Sequence, residues 1–156
     1  MRPPHGIARV MVAVFAAGLL TVSALAFGGC GTTSLTRATP TVTAVPGVPI
    51  NTTLREWAID LSAQAAAPGT ITFKVANSGL VPHVLILVRT DLPADRLPSA
   101  SGIVDESKLT IVARSEQVVP GSTQMVTADL AKGRYVLFCN VIGHYDQGQF
   151  TGFTVQ

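Results

Sequence analysis

The chain has 156 residues, 47% of them apolar, with 11 basic and 9 acidic side chains and a net charge of +2. Without Arg2 and Arg9 the basic and acidic residues balance, so the rest of the chain is neutral. No basic stripe appears, and nucleic acid is therefore not expected as a partner.

Residues 10–27, VMVAVFAAGLLTVSALAF, follow Arg2 and Arg9 and carry no charge. A short basic start before an apolar run is the anatomy of a secretory signal. Gly28 and Gly29 then lead to Cys30. Small residues before a cysteine resemble a bacterial lipobox, in which the cysteine is lipidated and becomes the mature N-terminus. Phe27 departs from that pattern, which usually has leucine there. Two other readings are an uncleaved anchor, since roughly eighteen apolar residues approach the span of a bilayer, and ordinary signal cleavage. All three place the rest of the chain outside the cytoplasm. The expected organisation is a signal peptide over residues 1–29, a lipidated Cys30 and a tether to residue 50, and a domain over residues 51–156. The expected location is the bacterial cell envelope, lipid-anchored to the outer face of the cytoplasmic membrane or periplasmic. The tether reading rests on residues 31–49, which are rich in Thr, Pro, Val and Gly and carry one charge, Arg37.

From about Asn51 the pattern turns to period two. Trp57, Ile59 and Leu61 alternate with polar or small residues, as do Ile71, Phe73 and Val75. Pro68-Gly69 and Asn77-Ser78-Gly79 read as turns. Residues 83–88 are nearly continuously apolar, as in a central strand covered on both faces. Residues 111–114, then Val126, Ala128 and Leu130, then residues 134–138 and 150–155, add further strands. The expectation is an all-β domain, a Greek-key β-sandwich of seven or eight strands. Residues 89–108, RTDLPADRLPSASGIVDESK, do not fit strand spacing and are expected to form one long crossover segment with a helical turn near 105–108.

Cys30 and Cys139 are the two cysteines. They could pair in an oxidising compartment, but a lipid on Cys30 leaves Cys139 unpaired, and a metal explains a free thiol in an exported protein. The part after the leader has only two histidines. His83 opens the apolar run, and His144 follows Cys139 by five positions in the loop before the last strand. Two imidazoles and a thiolate in a trigonal plane with a weak axial group suit copper, because thiolate favours Cu(I) and imidazole suits both oxidation states. A rigid sandwich end would hold such ligands still while an electron moves.

The stretches FKVANSGLVPHVLIL and GRYVLFCNVIGHYDQGQFTGFTV resemble the cupredoxins, the blue copper proteins, and among them the small bacterial sulfocyanin- and rusticyanin-like type. The resemblance covers most of residues 51–156. It implies one copper ion cycling between Cu(I) and Cu(II), with His83, Cys139 and His144 as ligands, and Asn140 and Gly143 as motif residues. The family's axial methionine is replaced by Gln149. Met125 lies on another strand with the wrong parity to substitute for it. Plant stellacyanin-type cupredoxins use a glutamine oxygen at that position, so Gln149 is the expected fourth ligand, giving a lower reduction potential than a methionine would.

The resemblance implies a single-electron carrier and no enzyme activity. A redox partner protein is expected to dock near His144, through an apolar patch that includes Leu80, Val81, Pro82, Val141 and Ile142. Tyr145 is expected to be a packing or rim residue. Membrane contact would come from the lipid on Cys30, and the domain is expected to be a monomer. A copper-delivery protein with the same ligands, or a metal-free interaction domain of the same fold, are the alternatives. A thiol nucleophile is disfavoured because no third orienting residue accompanies Cys139 and His144.

Overall fold

The structure, a computed structural model, describes residues 40–156. The expected signal peptide, Cys30 with its lipid, and the first part of the tether lie outside the described residues. The strands are β1 (Ile50–Arg55), β2 (Ala58–Leu61), β3 (Ala65–Ala66), β4 (Gly69–Asn77), β5 (Ile86–Arg89), β6 (Ser99–Ala100), β7 (Ile103–Val104), β8 (Thr110–Arg114), β9 (Thr123–Leu130), β10 (Gly133–Phe138) and β11 (Phe150–Val155). They form a four-stranded sheet, β2-β1-β4-β9, and a five-stranded sheet, β3-β11-β10-β5-β8, with β6 and β7 as a separate hairpin. The pairs β1/β4 and β3/β11 are parallel. The domain is the expected all-β sandwich. Its strand number exceeds seven or eight because β3, β6 and β7 are two-residue pieces too short to leave a periodic pattern. Ahead of β1, Ala44 N–H donates to Ala65 O at 2.7 Å, so residues 42–44 run beside β3.

Alternation explains the first layer of packing. In β4, Ile71, Phe73 and Val75 face inward between exposed or half-exposed neighbours, as expected of a sheet with one wet face. They meet Leu87, Tyr135, Leu137 and Phe153 from the other sheet, and Leu85 just ahead of β5, in one buried core. Phe73 stands edge-on to Phe153, with ring centroids 5.5 Å apart.

The continuous apolar runs have a different cause. In β5 and β10 the outward residues Ile86, Val88, Val136 and Phe138 are buried too. They form a second core with Leu97, Val104 and Tyr145. Leu97 and Val104 belong to the long crossover, residues 89–108, which therefore covers the outer face of the five-stranded sheet. That segment contains two short 3-10 turns, Ala94–Arg96 and Glu106–Lys108, the second at the expected helical turn.

Two local expectations change. Trp57 does not belong to the inward row of β2: it sits in the β1–β2 turn, 44% exposed, while Ile59 takes the inward position. The strand expected from His83 starts only at Ile86, and His83 makes an isolated bridge with Val118. Among the described residues no helix is long and apolar enough to cross a membrane.

Phe73 is fully buried at the meeting of the two sheets. Phe73→Ala is expected to lower the free energy of unfolding by about 3–5 kcal/mol, the usual cost of removing a buried ring. Urea denaturation checks this, and a loss below about 1 kcal/mol would show that the core closes over the gap.

Candidate metal centre

The centre lies at one end of the sandwich, where three pieces of chain meet. Cys139 directly follows β10. Its N–H donates to Gln149 O at 3.0 Å, one step beyond the last β10–β11 pair, Phe138 and Phe150. The hairpin ladder therefore fixes Cys139 beside Gln149. Between them the loop folds tightly: His144 N–H donates to Val141 O at 3.0 Å and Gln149 N–H to His144 O at 3.1 Å. Gly143 has φ +80° in this turn, a conformation open to glycine at little cost.

His83 comes from the other side. Its backbone exchanges hydrogen bonds with Val118, at 3.1 Å and 2.8 Å. Asn77 holds the approach: its Nδ2 donates to Val81 O and Val118 O, both at 2.8 Å, and its Oδ1 accepts from Gly79 N–H at 2.8 Å. All three hydrogen bonds of this buried amide go to backbone, which pins the turn that delivers His83.

The structure brings all four expected ligands together. His83 Nδ1 and His144 Nδ1 are 3.2 Å apart, and Cys139 Sγ lies 3.5 Å from His144 Nδ1 and 3.9 Å from His83 Nδ1. Donor atoms placed about 2.0–2.3 Å from a first-row ion in a trigonal plane stand roughly 3.5–3.7 Å from each other. The observed triangle is close to that size, so the residues fit one small ion. Gln149 Oε1 lies 2.9 Å from His144 Nδ1. Its amide is oriented by Nε2, which donates to Arg55 O at 2.9 Å and lies 3.1 Å from His83 Nδ1, so that the oxygen faces His144. Gln149, His83 and Cys139 are fully buried and His144 nearly so.

Burial sets the electrostatics. It pushes the Cys139 thiol up, against weaker help to the thiolate from the Val84 and Val141 backbone. Burial, and then the neighbouring His144, lowers His83 from its ordinary value and so favours the neutral, metal-binding imidazole. Among the described residues Cys139 is a free thiol. Met125 is well exposed on β9, and Gln147 faces solvent.

Several residues around the centre were not singled out by sequence reasoning. The end of β1 and the turn after it touch three of the four expected ligands in succession. Arg55 O orients Gln149, Glu56 Oε1 lies 3.5 Å from His83 Nε2, and the Trp57 ring stands edge-on to His144 with centroids 5.0 Å apart. No local signal marks these residues, because their role exists only once β1 is laid beside β4. Hydrogen bonds from its own backbone and from Val81 hold the Glu56 carboxyl below its usual range.

The crossover segment clamps the loop from the other flank. Asn140 Oδ1 accepts from Val104 N–H at 2.8 Å, and its Nδ2 donates to Val104 O and Glu106 Oε1. Gly143 N–H donates to Gly102 O at 2.8 Å. Tyr145 is a packing residue, and its hydroxyl donates to Ala94 O at 2.7 Å while accepting from Leu97 N–H at 2.8 Å. His144 is 7% exposed, whereas Leu80 and Ile142 are 90% and 70% exposed.

Tyr145→Phe is expected to cost about 1–3 kcal/mol, because it leaves the buried Leu97 N–H without a partner. Amide exchange at Leu97 should quicken in the same variant. Unchanged stability and exchange would mean that Asn140 and Gly102 alone hold the segment.

No family model matches the chain, and no curated protein matches it. Solved structures do. Reduced auracyanin from Roseiflexus castenholzii is similar at 22% identity over 68% of this chain and 94% of its own, with a TM-score of 0.54. Auracyanin B is similar at 19% identity over 74% of this chain and 94% of its own, with a TM-score of 0.53. Rusticyanin from Thiobacillus ferrooxidans is similar at 17% identity over 73% of this chain and 80% of its own, with a TM-score of 0.53. The chain has the cupredoxin fold, and it gathers His83, Cys139 and His144 at the end of the sandwich as a candidate type 1 copper site.

Proposed function

We propose that the chain is a type 1 copper protein that carries single electrons outside the cytoplasm, with one copper held by His83, Cys139 and His144 and by Gln149 as axial ligand. The observation that supports this most is the buried triangle of two imidazole nitrogens and one thiol sulfur, with separations of 3.2, 3.5 and 3.9 Å. Bound copper supplies a one-electron Cu(II)/Cu(I) couple. The protein's part is to keep the donors fixed and dry. The β10–β11 ladder fixes Cys139 and Gln149, the Asn77 network fixes His83, and the Asn140 and Tyr145 clamps fix the loop that carries His144. Ligands restrained on every side have little room to rearrange when the charge changes, which suits fast transfer more than release of the ion.

The same end of the molecule exposes Trp57, Leu80, Val81 and Ile142. A redox partner docking there would meet an apolar face and reach His144 through its contact with Trp57. In this reading the leader exports the chain to the bacterial cell envelope, and a lipid on Cys30 tethers it to the membrane.

Adding Cu(II) to the purified protein is expected to produce an intense visible thiolate-to-copper charge-transfer band that Cys139→Ser abolishes. A wild-type protein that takes up no copper would support a metal-free domain of the same fold instead. Gln149→Met is expected to raise the reduction potential, because a thioether is softer than an amide oxygen and favours Cu(I). Voltammetry reads this directly, and an unchanged or lower potential would remove Gln149 from the axial position.

A further inference from the structure

The outer nitrogen of His83 has an unsettled position. Nε2 is buried and, among the described residues, has no hydrogen-bond partner. Its inner nitrogen is engaged, since Gln149 Nε2 lies 3.1 Å from His83 Nδ1. An amide nitrogen is a donor only, so Nδ1 is the acceptor and Nε2 carries the ring proton. A buried N–H needs an acceptor, and the group facing it is Glu56 Oε1 at 3.5 Å, an ion-pair distance just beyond a good hydrogen bond.

Glu56 is held in that place from two sides. Its Oε1 accepts from Leu80 N–H at 2.7 Å and from Val81 N–H at 3.0 Å, both in the segment that leads to His83. Beside it stands Gly79, where a Cβ would sit 2.5 Å from Oε1 and 2.6 Å from Oε2. The absent side chain at Gly79 is what lets the carboxylate lie under the ring.

We propose that Glu56 is a positioning residue of the centre: its carboxylate faces the proton-bearing Nε2 of His83, keeps the ring in the tautomer whose unprotonated Nδ1 faces the cluster, and adds a negative charge that favours Cu(II) over Cu(I). Histidines that bind metal commonly give their other N–H to a carboxylate or carbonyl, which orients the ring and raises its basicity. The part of this proposal that concerns potential rests on the copper reading above. The part that concerns the tautomer does not.

Three variants test it. Glu56→Gln keeps an oxygen for the Leu80 and Val81 N–H groups and removes only the charge. Gly79→Ala keeps the charge and displaces the carboxylate, the far end of a flexible side chain. Glu56→Ala removes the acceptor. In the copper-loaded protein, Glu56→Gln and Gly79→Ala are each expected to weaken Cu(II) binding about tenfold, with Cu(I) binding changed less. A full tenfold preference corresponds to a rise of about 59 mV for a one-electron couple. In the protein without copper, the 15N shifts of His83 at pH 8 are expected to report a single Nε2–H tautomer in the wild type and a mixture in Glu56→Ala. Potentials unchanged in both Glu56→Gln and Gly79→Ala would overturn the tuning role, and a single tautomer in Glu56→Ala would overturn the orienting role. If Glu56→Ala does not fold, the His83 shifts of Gly79→Ala replace it. If the wild type takes up no copper, the function proposed above falls, and the nitrogen shifts alone decide what Glu56 does.

Discussion

Two imidazole nitrogens and a thiol sulfur, all buried, converge on one point at the end of the sandwich, and the rest of the fold answers to the cost of keeping them there. Polar groups out of water need partners, and lone pairs pointed at each other repel unless something is shared between them. The chain braces each of these residues from outside with its own backbone or side chains, leaving only His83 Nε2 without a hydrogen-bond partner among the described buried side-chain atoms, and turns the inner atoms toward one another. Val84 N–H points at the Cys139 sulfur, Arg55 O takes the Gln149 amide, and Val118 brackets His83. What remains unsaturated is a small, dry cluster of donors of the kind a soft or borderline ion fills.

Such a cluster holds only if the elements bearing it cannot shift. Here three independent braces meet. The hairpin of β10 and β11 sets Cys139 against Gln149 through ladder register. The Asn77 network sets the turn before His83. The crossover, residues 89–108, turns β5 and β10 into strands buried on both faces and grips the loop through Asn140, Tyr145 and Gly143. A segment that looks like an interruption in the strand pattern is thus the outer wall of the centre. The end of β1 and the turn after it supply the inner contacts, with Arg55, Glu56 and Trp57 each meeting a different ligand.

Much of this was legible in the chain. The spacing of Cys139, His144 and Gln149 survives because a short loop between hairpin strands keeps sequence neighbours close in space. His83 was legible because few histidines were available and because it opens an apolar run. Trp57 misled, since its parity matches Ile59 and Leu61; a tight turn after β1 breaks the alternation one residue before β2 resumes it. The apolar run that opens at His83 begins ahead of β5 for a related reason. His83 and Leu85 are buried near the centre, and burial alone does not require a ladder.

The all-β class and the turns are legible in the chain because hydrophobic period and turn residues are local properties, and the resemblance to the cupredoxins adds the four side chains that converge. Which groups stand behind those side chains is a matter of the tertiary fold alone. Glu56 reaches His83, Arg55 reaches Gln149 and Asn140 reaches Val104 across strands that are distant along the chain. The parallel pairing of β1 with β4 and the fold of the crossover over β5 and β10 create these contacts. They leave no periodic trace, because a single polar residue in a turn reads the same whether it faces water or the back of a ligand.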